Sequence, residues 1–223
     1  MRLRHIPRET SRLMRRALGF GKQQSEELLQ VTSDLRLGDT FVDIGAHEGT
    51  FSLHAAKKVG PSGVVLAIEP NPEVIKQLRS NIAASAVTNV QVVPVAVGDE
   101  SGEAILNTFK QHTRSSLYPN GRATRYTLQD SNRSTSIVVP VEPLLLILSR
   151  HGIKTIHAMK VDIEGYEDRA LIPFFDAAPE SLWPHRMLIE RSPNIWKRDC
   201  IDYMLARGYH TVWQGRGDTL LSL

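Results

Sequence analysis

Residues 40–49 read TFVDIGAHEG: an apolar run from Thr40 to Ile44, interrupted only by Asp43, that ends in Gly45-Ala46-His47-Glu48-Gly49. A buried strand is expected over the first five residues. The two glycines let the backbone turn sharply and come close to a ligand. A helix over Thr50 to Lys58 follows, and its first turn offers unpaired N–H groups to a carboxylate or phosphate. Outward from this stretch, Val64 to Ile68 (VVLAI) reads as a second strand and Pro72 to Ala84 as its helix, with Pro72 suited to a first helical turn. Val90 to Val95 reads as a third strand. Short apolar runs alternating with amphipathic segments indicate strands joined by crossover helices, so the expected fold is α/β, an open, doubly wound, mostly parallel sheet.

The alternation breaks between about Gly98 and Ser136, where a polar stretch rich in Ser, Thr, Asn and Arg suits a hairpin, a lid or a binding loop. It resumes with a short strand at Ile137 to Val141, a helix at Pro143 to His151, a strand at Ala158 to Ile163 and a helix at Tyr166 to Phe175. A strand at Arg186 to Glu190, a helix at Ile195 to Arg207 and two strands near Tyr209 to Trp213 and Thr219 to Leu221 complete the chain. The 223 residues, 41% apolar, suffice for one core of ordinary size and exclude a disordered chain. We divide them into a basic N-terminal arm, residues 1–37, packing on a domain of residues 38–223 with an insertion at about 100–135. Cys200 is the single cysteine, which excludes an internal disulfide framework and a Cys-rich zinc site. The longest uninterrupted aliphatic run, Leu144 to Leu148, is far short of the roughly 18 residues of a membrane span, and a cytoplasmic location is the expectation. Residues 1–22 hold seven basic side chains against Glu9 alone, whereas the remaining 201 residues sum to −3. The pI of about 9.1 therefore belongs to the arm. A helix with a solvated basic face explains the arm; an arm that meets phosphate, anionic lipid or an acidic substrate is the alternative. With no apolar stretch after the first arginines, the arm does not read as a secretory signal.

In doubly wound sheets the ligand lies beyond the carboxyl ends of the strands, at the switch point. The second strand ends in Glu69-Pro70-Asn71-Pro72, and an acid there can accept hydrogen bonds from both hydroxyls of a ribose. A nucleoside cofactor is implied. A nicotinamide site would want G-x-G-x-x-G, but Ala46, His47 and Glu48 separate the glycines here, and Glu48 stands where a phosphate would sit. A nucleoside without phosphate, such as S-adenosylmethionine, fits better. A turn that merely connects strand and helix is the competing reading of the glycine loop alone.

Phe41 to Gly49, Glu69 to Pro72, Ala96-Val97-Gly98-Asp99 and Lys160-Val161-Asp162-Ile163-Glu164-Gly165-Tyr166-Glu167 together resemble the FkbM family of S-adenosylmethionine-dependent methyltransferases, over about residues 40–213. The resemblance implies a class I methyltransferase (Rossmann-like) fold, with a seven-stranded sheet carrying one antiparallel strand. It also implies O-methylation of a hydroxyl on a sugar or other small molecule. His47 departs from the family, where Asn is more usual. Carried over by position, Asp43, Gly45, Ala46, His47 and Gly49 would line the methionine part of the cofactor and Glu69 would hold the ribose. Asn71 and Asp99 would flank the adenine, with Ala96 and Val97 against its edge. Ser115 and Ser116 resemble a serine-rich patch near the family's active site.

In an extended strand, Lys160, Asp162 and Glu164 share one face, and polar groups at the end of a central strand are costly unless used or paired. Lys160 is assigned to substrate binding; its alternative is to pair with Asp162 or Glu164 and close the strand end. Asp162 is the expected base, with Glu164 orienting substrate or cofactor and Glu190, ending Leu188-Ile189-Glu190, facing the same cleft. These three acids suggest a divalent cation only weakly, since no metal-ligand spacing is distinctive, and no metal is assigned. His47 as base, and His54, His157 and His185, have less to recommend them. The expected partner is a small-molecule or glycan acceptor. Nucleic-acid methylation is the enzymatic rival suggested by the arm, without an aromatic-rich basic stripe to support it. The rival from another class is a catalytically idle module that binds the cofactor and serves as a partner protein. Arg114, Arg122 and Arg125 would suit a carboxylated or phosphorylated acceptor, or simply solvate the surface.

Overall fold

The computed structural model describes residues 22–109, 115–116 and 134–223. In chain order these form α1 (Lys22–Val31), β1 (Thr40–Ile44), α2 (Thr50–Val59), β2 (Val64–Ile68), α3 (Pro72–Ser85), β3 (Val90–Val93), β4 (Ala96–Gly98), β5 (Gly102–Phe109) and β6 (Ser115–Ser116). Then follow β7 (Ser134–Pro143), α4 (Leu144–Arg150), β8 (Ala158–Val161), α5 (Glu167–Ala177), β9 (Arg186–Glu190), α6 (Cys200–Leu205), β10 (His210–Gln214) and β11 (Asp218–Ser222). A 3-10 turn, Glu180–Leu182, lies between α5 and β9.

Seven strands make the main sheet in the order β10-β11-β9-β8-β1-β2-β3. β1 runs parallel to both β2 and β8, and only β11 runs against its neighbours. The chain builds outward from β1 to β3, then returns to lay β8 on the other side of β1. The switch point therefore lies between β1 and β8, which is where a ligand cleft is expected in a sheet of this kind. The order and the lone antiparallel strand are those of the class I methyltransferase fold.

Alternation along the strands divides the core in two. Val42, Ile44, Leu66, Ile68, Met159, Val161, Met187 and Ile189 face the layer of α4, α5 and α6. Phe41, Val65, Ala158, Leu188 and Leu220 face the other layer, with Phe51, Ala55 and Val59 of α2 and Leu28 and Val31 of α1. The described part of the N-terminal segment thus packs on the sheet through an apolar stripe. The short helix expected around Leu13 to Leu18 lies outside the described residues.

Several boundaries differ from the sequence reading. The strand expected to run to Val95 stops at Val93, because Pro94 has no N–H for the ladder; the chain then joins a second sheet, β4-β7-β5-β6. The interruption after Gly98 is therefore in part a sheet of its own, built on an eight-residue antiparallel register of β5 with β7. Ala96, Leu106, Val139 and Val141 form a small buried cluster on it, with Tyr166 packed against them. β8 ends at Val161 rather than Ile163, so Asp162 and Glu164 do not share a strand face: Glu164 takes a left-handed φ of 56° in the following turn. The helix expected from Ile195 starts only at Cys200, where the Asp199 carboxylate accepts the N–H groups of Ile201 and Asp202.

Gly45 is fixed by space, against backbone. A Cβ on Gly45 would stand 1.9 Å from the carbonyl oxygen of Asp162, at a φ of 76°. Gly152 has a similar φ of 67° and open space around it. Gly45→Ala should therefore cost about 3 kcal/mol or more, overpacking added to left-handed strain, and Gly152→Ala about 1 kcal/mol from strain alone. Urea midpoints of the two variants check this.

Candidate active site

The ends of β1, β2, β8 and β9 open into a cleft of about 330 Å3. Gly45, Ala46 and His47 line it from β1, Glu69 and Pro70 from β2, and Lys160, Asp162, Ile163 and Glu164 from β8. Glu190 closes it from β9, and Ala96, Val97 and Leu106 cover it from the second sheet.

Glu69 is built to present its carboxylate. One oxygen accepts the N–H of His47 and the other the N–H of Asn71, both at 3.0 Å. Two fixed donors leave each oxygen a further lone pair for an outside donor. Burial raises the Glu69 pKa, against the pull of those two amides. The amides of Gly45 and Ala46 both donate to Ile68 at 3.0 Å, which locks the turn over the end of β2. His47 adopts a left-handed φ of 52°, and its Nε2 is buried without a hydrogen-bond partner among the described residues.

Lys160 joins β8 to the glycine turn. Its ammonium donates to the Gly45 carbonyl at 2.7 Å, pairs with Asp162 at 3.2 Å and lies 3.9 Å from Asp43. The Phe51 ring lies beneath it, 5.4 Å away. Burial disfavours the charge on Lys160, but Asp162 and Asp43 outweigh it, so its pKa is raised and the ammonium persists. Asp43, fully buried, accepts from the Ser52 hydroxyl at 2.6 Å and ties β1 to α2. Burial raises its pKa while Lys160 and Ser52 oppose the rise. The Glu190 carboxyl hydrogen-bonds Asp162. Its pKa is driven far above the usual range, first by burial and then by the charges of Asp162 and Glu164, which favours the protonated form. The register explains the meeting: Val161 is paired with Ile189, so Asp162, just past the end of β8, falls beside Glu190 at the end of β9.

Not every residue singled out in the sequence faces this cleft. Asn71 spends its side chain capping α3, accepting the N–H of Glu73, and helps the site through its backbone donor to Glu69. Asp99 lies away from the lining, paired with Arg169 at 3.4 Å. Asp43 and Gly49 act from behind the turn; a Cβ on Gly49 would strike Leu78. Lys160 is engaged by the protein itself, as its alternative reading had it. Ser115 and Ser116 form the short strand β6 beside Thr108 and Asn107; their side chains, like Arg114, Arg122 and Arg125, lie outside the described residues. His157 and His185 meet edge to face near the opposite end of the sheet, where His157 Nδ1 accepts the N–H of Thr40. Gln24 of α1, Phe51 and Leu106 line the cleft with no motif to announce them. Among the described residues no cluster of three His, Cys, Asp or Glu side chains is arranged for a metal ion, and no helix is long and apolar enough to cross a membrane.

The family model described as the methyltransferase FkbM domain matches residues 43–211. The chain belongs to this family. Its cofactor is S-adenosylmethionine. The cleft fits that group: a doubly anchored carboxylate suits a ribose, and among the described residues carboxyl groups outnumber the one ammonium of the lining and no basic cluster awaits a pyrophosphate. Among curated relatives, the 31-O-demethyl-FK506 methyltransferase FkbM of Streptomyces tacrolimicus is 29% identical over 171 residues, 68% of this chain and 64% of that protein. An arsenite methyltransferase of Halobacterium salinarum is 32% identical over 75 residues, 31% of this chain and 19% of its own length. The chain thus spans less than two thirds of the length of the curated relatives it matches. Of solved structures, Aeropyrum pernix fibrillarin with natively bound S-adenosyl-L-methionine aligns over 89% of this chain and 73% of its own, at 13% identity and a TM-score of 0.49. A precorrin-6y C5,15-methyltransferase from Geobacter metallireducens aligns over 90% of this chain and 88% of its own, at 13% identity and a TM-score of 0.48.

The protonated carboxyl has a signed consequence for stability. Folded Glu190 keeps a proton that the unfolded chain releases around the ordinary value of 4.5, so stability falls as the pH rises above that value. Glu190→Gln should flatten this decline, giving a urea midpoint that changes less than the wild type's between about pH 6 and pH 9. Parallel slopes would mean that Glu190 is ionised in the folded protein.

Proposed function

We propose that the protein transfers the methyl group of S-adenosylmethionine to a hydroxyl oxygen of a small-molecule or glycosyl acceptor, with Asp162 as the base. The observation that carries this reading is the placement of the Asp162 carboxylate in the cleft, between the Lys160 ammonium and the Glu190 carboxyl. The cofactor, when bound, supplies a methyl carbon on a positive sulfur that departs as a neutral thioether.

The chain's own residues supply position and one proton acceptor. Glu69 accepts the ribose hydroxyls on lone pairs left over from its two backbone donors. Gly45, Ala46 and His47 line the methionine portion, where Gly45 and Ala46 leave room that larger side chains would fill. Ala96 and Val97 lie against the adenine edge, under the cover of Leu106. Asp162 takes the proton as the acceptor oxygen bonds to carbon and the carbon–sulfur bond breaks. Lys160 holds Asp162 charged and fixes its direction, which makes Lys160 a positioning residue rather than a substrate ligand. Glu190, beside Asp162, helps to orient that carboxylate toward the cleft. Glu164, at the rim, orients the acceptor, and Ser115 and Ser116 are proposed to contribute to acceptor binding. A cleft with this many carboxyl groups favours neutral or cationic acceptors over the carboxylated or phosphorylated ones that the arginines of the insertion suggested. An oxygen acceptor is supported by the name of the FK506 relative, which aligns over most of this chain.

Two substitutions separate binding from chemistry. Glu69→Ala should weaken calorimetric binding of S-adenosylmethionine and of its demethylated product about tenfold or more, since buried bonds to a charged group are lost. Asp162→Ala should bind both within a few-fold of wild type yet transfer no methyl group to any hydroxyl in a panel of glycosides and alcohols. Turnover by Asp162→Ala would remove the proposed base, and a wild type that binds but methylates nothing favours the idle module.

A further inference from the structure

Glu167 has no part in the proposed reaction, yet it is fully buried and its carboxylate is completely engaged. Oε1 accepts the N–H of Ile163 at 2.9 Å and of Gly165 at 3.2 Å, and Oε2 accepts the indole N–H of Trp196 at 2.7 Å. Glu164, the left-handed residue at the cleft, sits between the two amides so held. The adjacent Asp168 accepts the N–H of Lys197 at 2.8 Å, and a Cβ on Gly165 would meet Ile195 at 2.8 Å. The turn after β8 and the segment after β9 are thereby fastened to each other at three points. Burial lifts the Glu167 pKa to about 7 against the pull of Trp196 and the amides, so this carboxylate is a costly way to close a turn.

We propose that Glu167 and Trp196 form a positioning pair: together they set the turn that brings Asp162 and Glu164 to the cofactor cleft and lock it to the segment that follows Glu190. The carboxyl-bearing ends of β8 and β9 then keep one spacing when the cofactor enters. The effect on cofactor binding rests on the function proposed above; the effect on the turn does not.

The test uses the full chain, amide exchange by NMR and calorimetric titration with S-adenosylmethionine. In Glu167→Gln, an amide nitrogen that replaces Oε2 opposes the Trp196 N–H, donor to donor. Exchange at Ile163 and Gly165 should quicken about tenfold while Val42 and Leu66 of the core stay protected, and affinity should fall about tenfold as the Asp162 backbone that backs the cleft-lining Gly45 shifts. Adding Trp196→Phe removes the opposed donor, so the double variant should recover slow exchange and most of the affinity, a rescue that general destabilisation does not give. Wild-type exchange and affinity in Glu167→Gln, or a double variant no better than the single, would overturn the proposal. Should the single variant fail to fold, the double variant is compared with Trp196→Phe alone: matching exchange and affinity uphold the pair, and loss of both refutes it. A wild type that does not bind S-adenosylmethionine refutes the proposed function instead, and the exchange rates still decide the role of the pair in the turn.

Discussion

The floor of the site is a contact between two backbones. Where β1 ends, residue 45 passes so near the Asp162 carbonyl that a side chain on it would occupy the oxygen's place. The Lys160 ammonium fastens the same crossing by donating to the Gly45 carbonyl, and the Asp162 amide donates to Ile44 at 3.1 Å. Through this crossing the first motif of the chain and the last one, more than a hundred residues apart, become a single rigid surface. The β2 end joins through Ile68 and Glu69, which bond the backbone of residues 45–47. Each functional side chain in the account is placed relative to that surface.

The crossing also concentrates charge. Asp43, Lys160, Asp162 and Glu190 lie on one side of adjacent strands, with one cation to serve three carboxyl groups. In a buried setting such an imbalance is relieved by keeping a proton, and Glu190 keeps it. Lys160 has the converse fate, since any loss of its proton would leave the acids unopposed. A sulfonium entering this cleft supplies the missing positive charge, so cofactor and site neutralise each other, whereas a pyrophosphate would add to the excess.

Much of this was legible in the sequence, for identifiable reasons. The strand ends at Ile44, Ile68 and Glu190 fall where apolar runs stop, Gly45 follows from what a tight turn demands, and Glu69 follows the end of its strand at the cleft. Less local features were hidden. Asn71 reads as an adenine neighbour but is drawn away by the amide of Glu73, a helix-capping bond. Asp99 is taken by Arg169, seventy residues on, which no spacing announces. A strand continued past Val161 would put Asp162 and Glu164 on one face, whereas the left-handed Glu164 lies in a turn whose amides bond Glu167, three residues on, itself held by the distant Trp196. The helix expected from Ile195 is shortened for the same reason: Trp196 and Lys197 are committed to α5 before Asp199 starts α6. Leu106 reaches the cleft only because the polar interruption contains a sheet, which its composition concealed.

The central claim, that this crossing and the anchored Glu69 form a site for S-adenosylmethionine, is tested most directly by calorimetric titration of the purified protein. S-adenosylmethionine and its demethylated product should each bind saturably at one site per chain, and NAD should give no heat of binding. Saturable binding of NAD, or none of either S-adenosyl compound, would contradict the account.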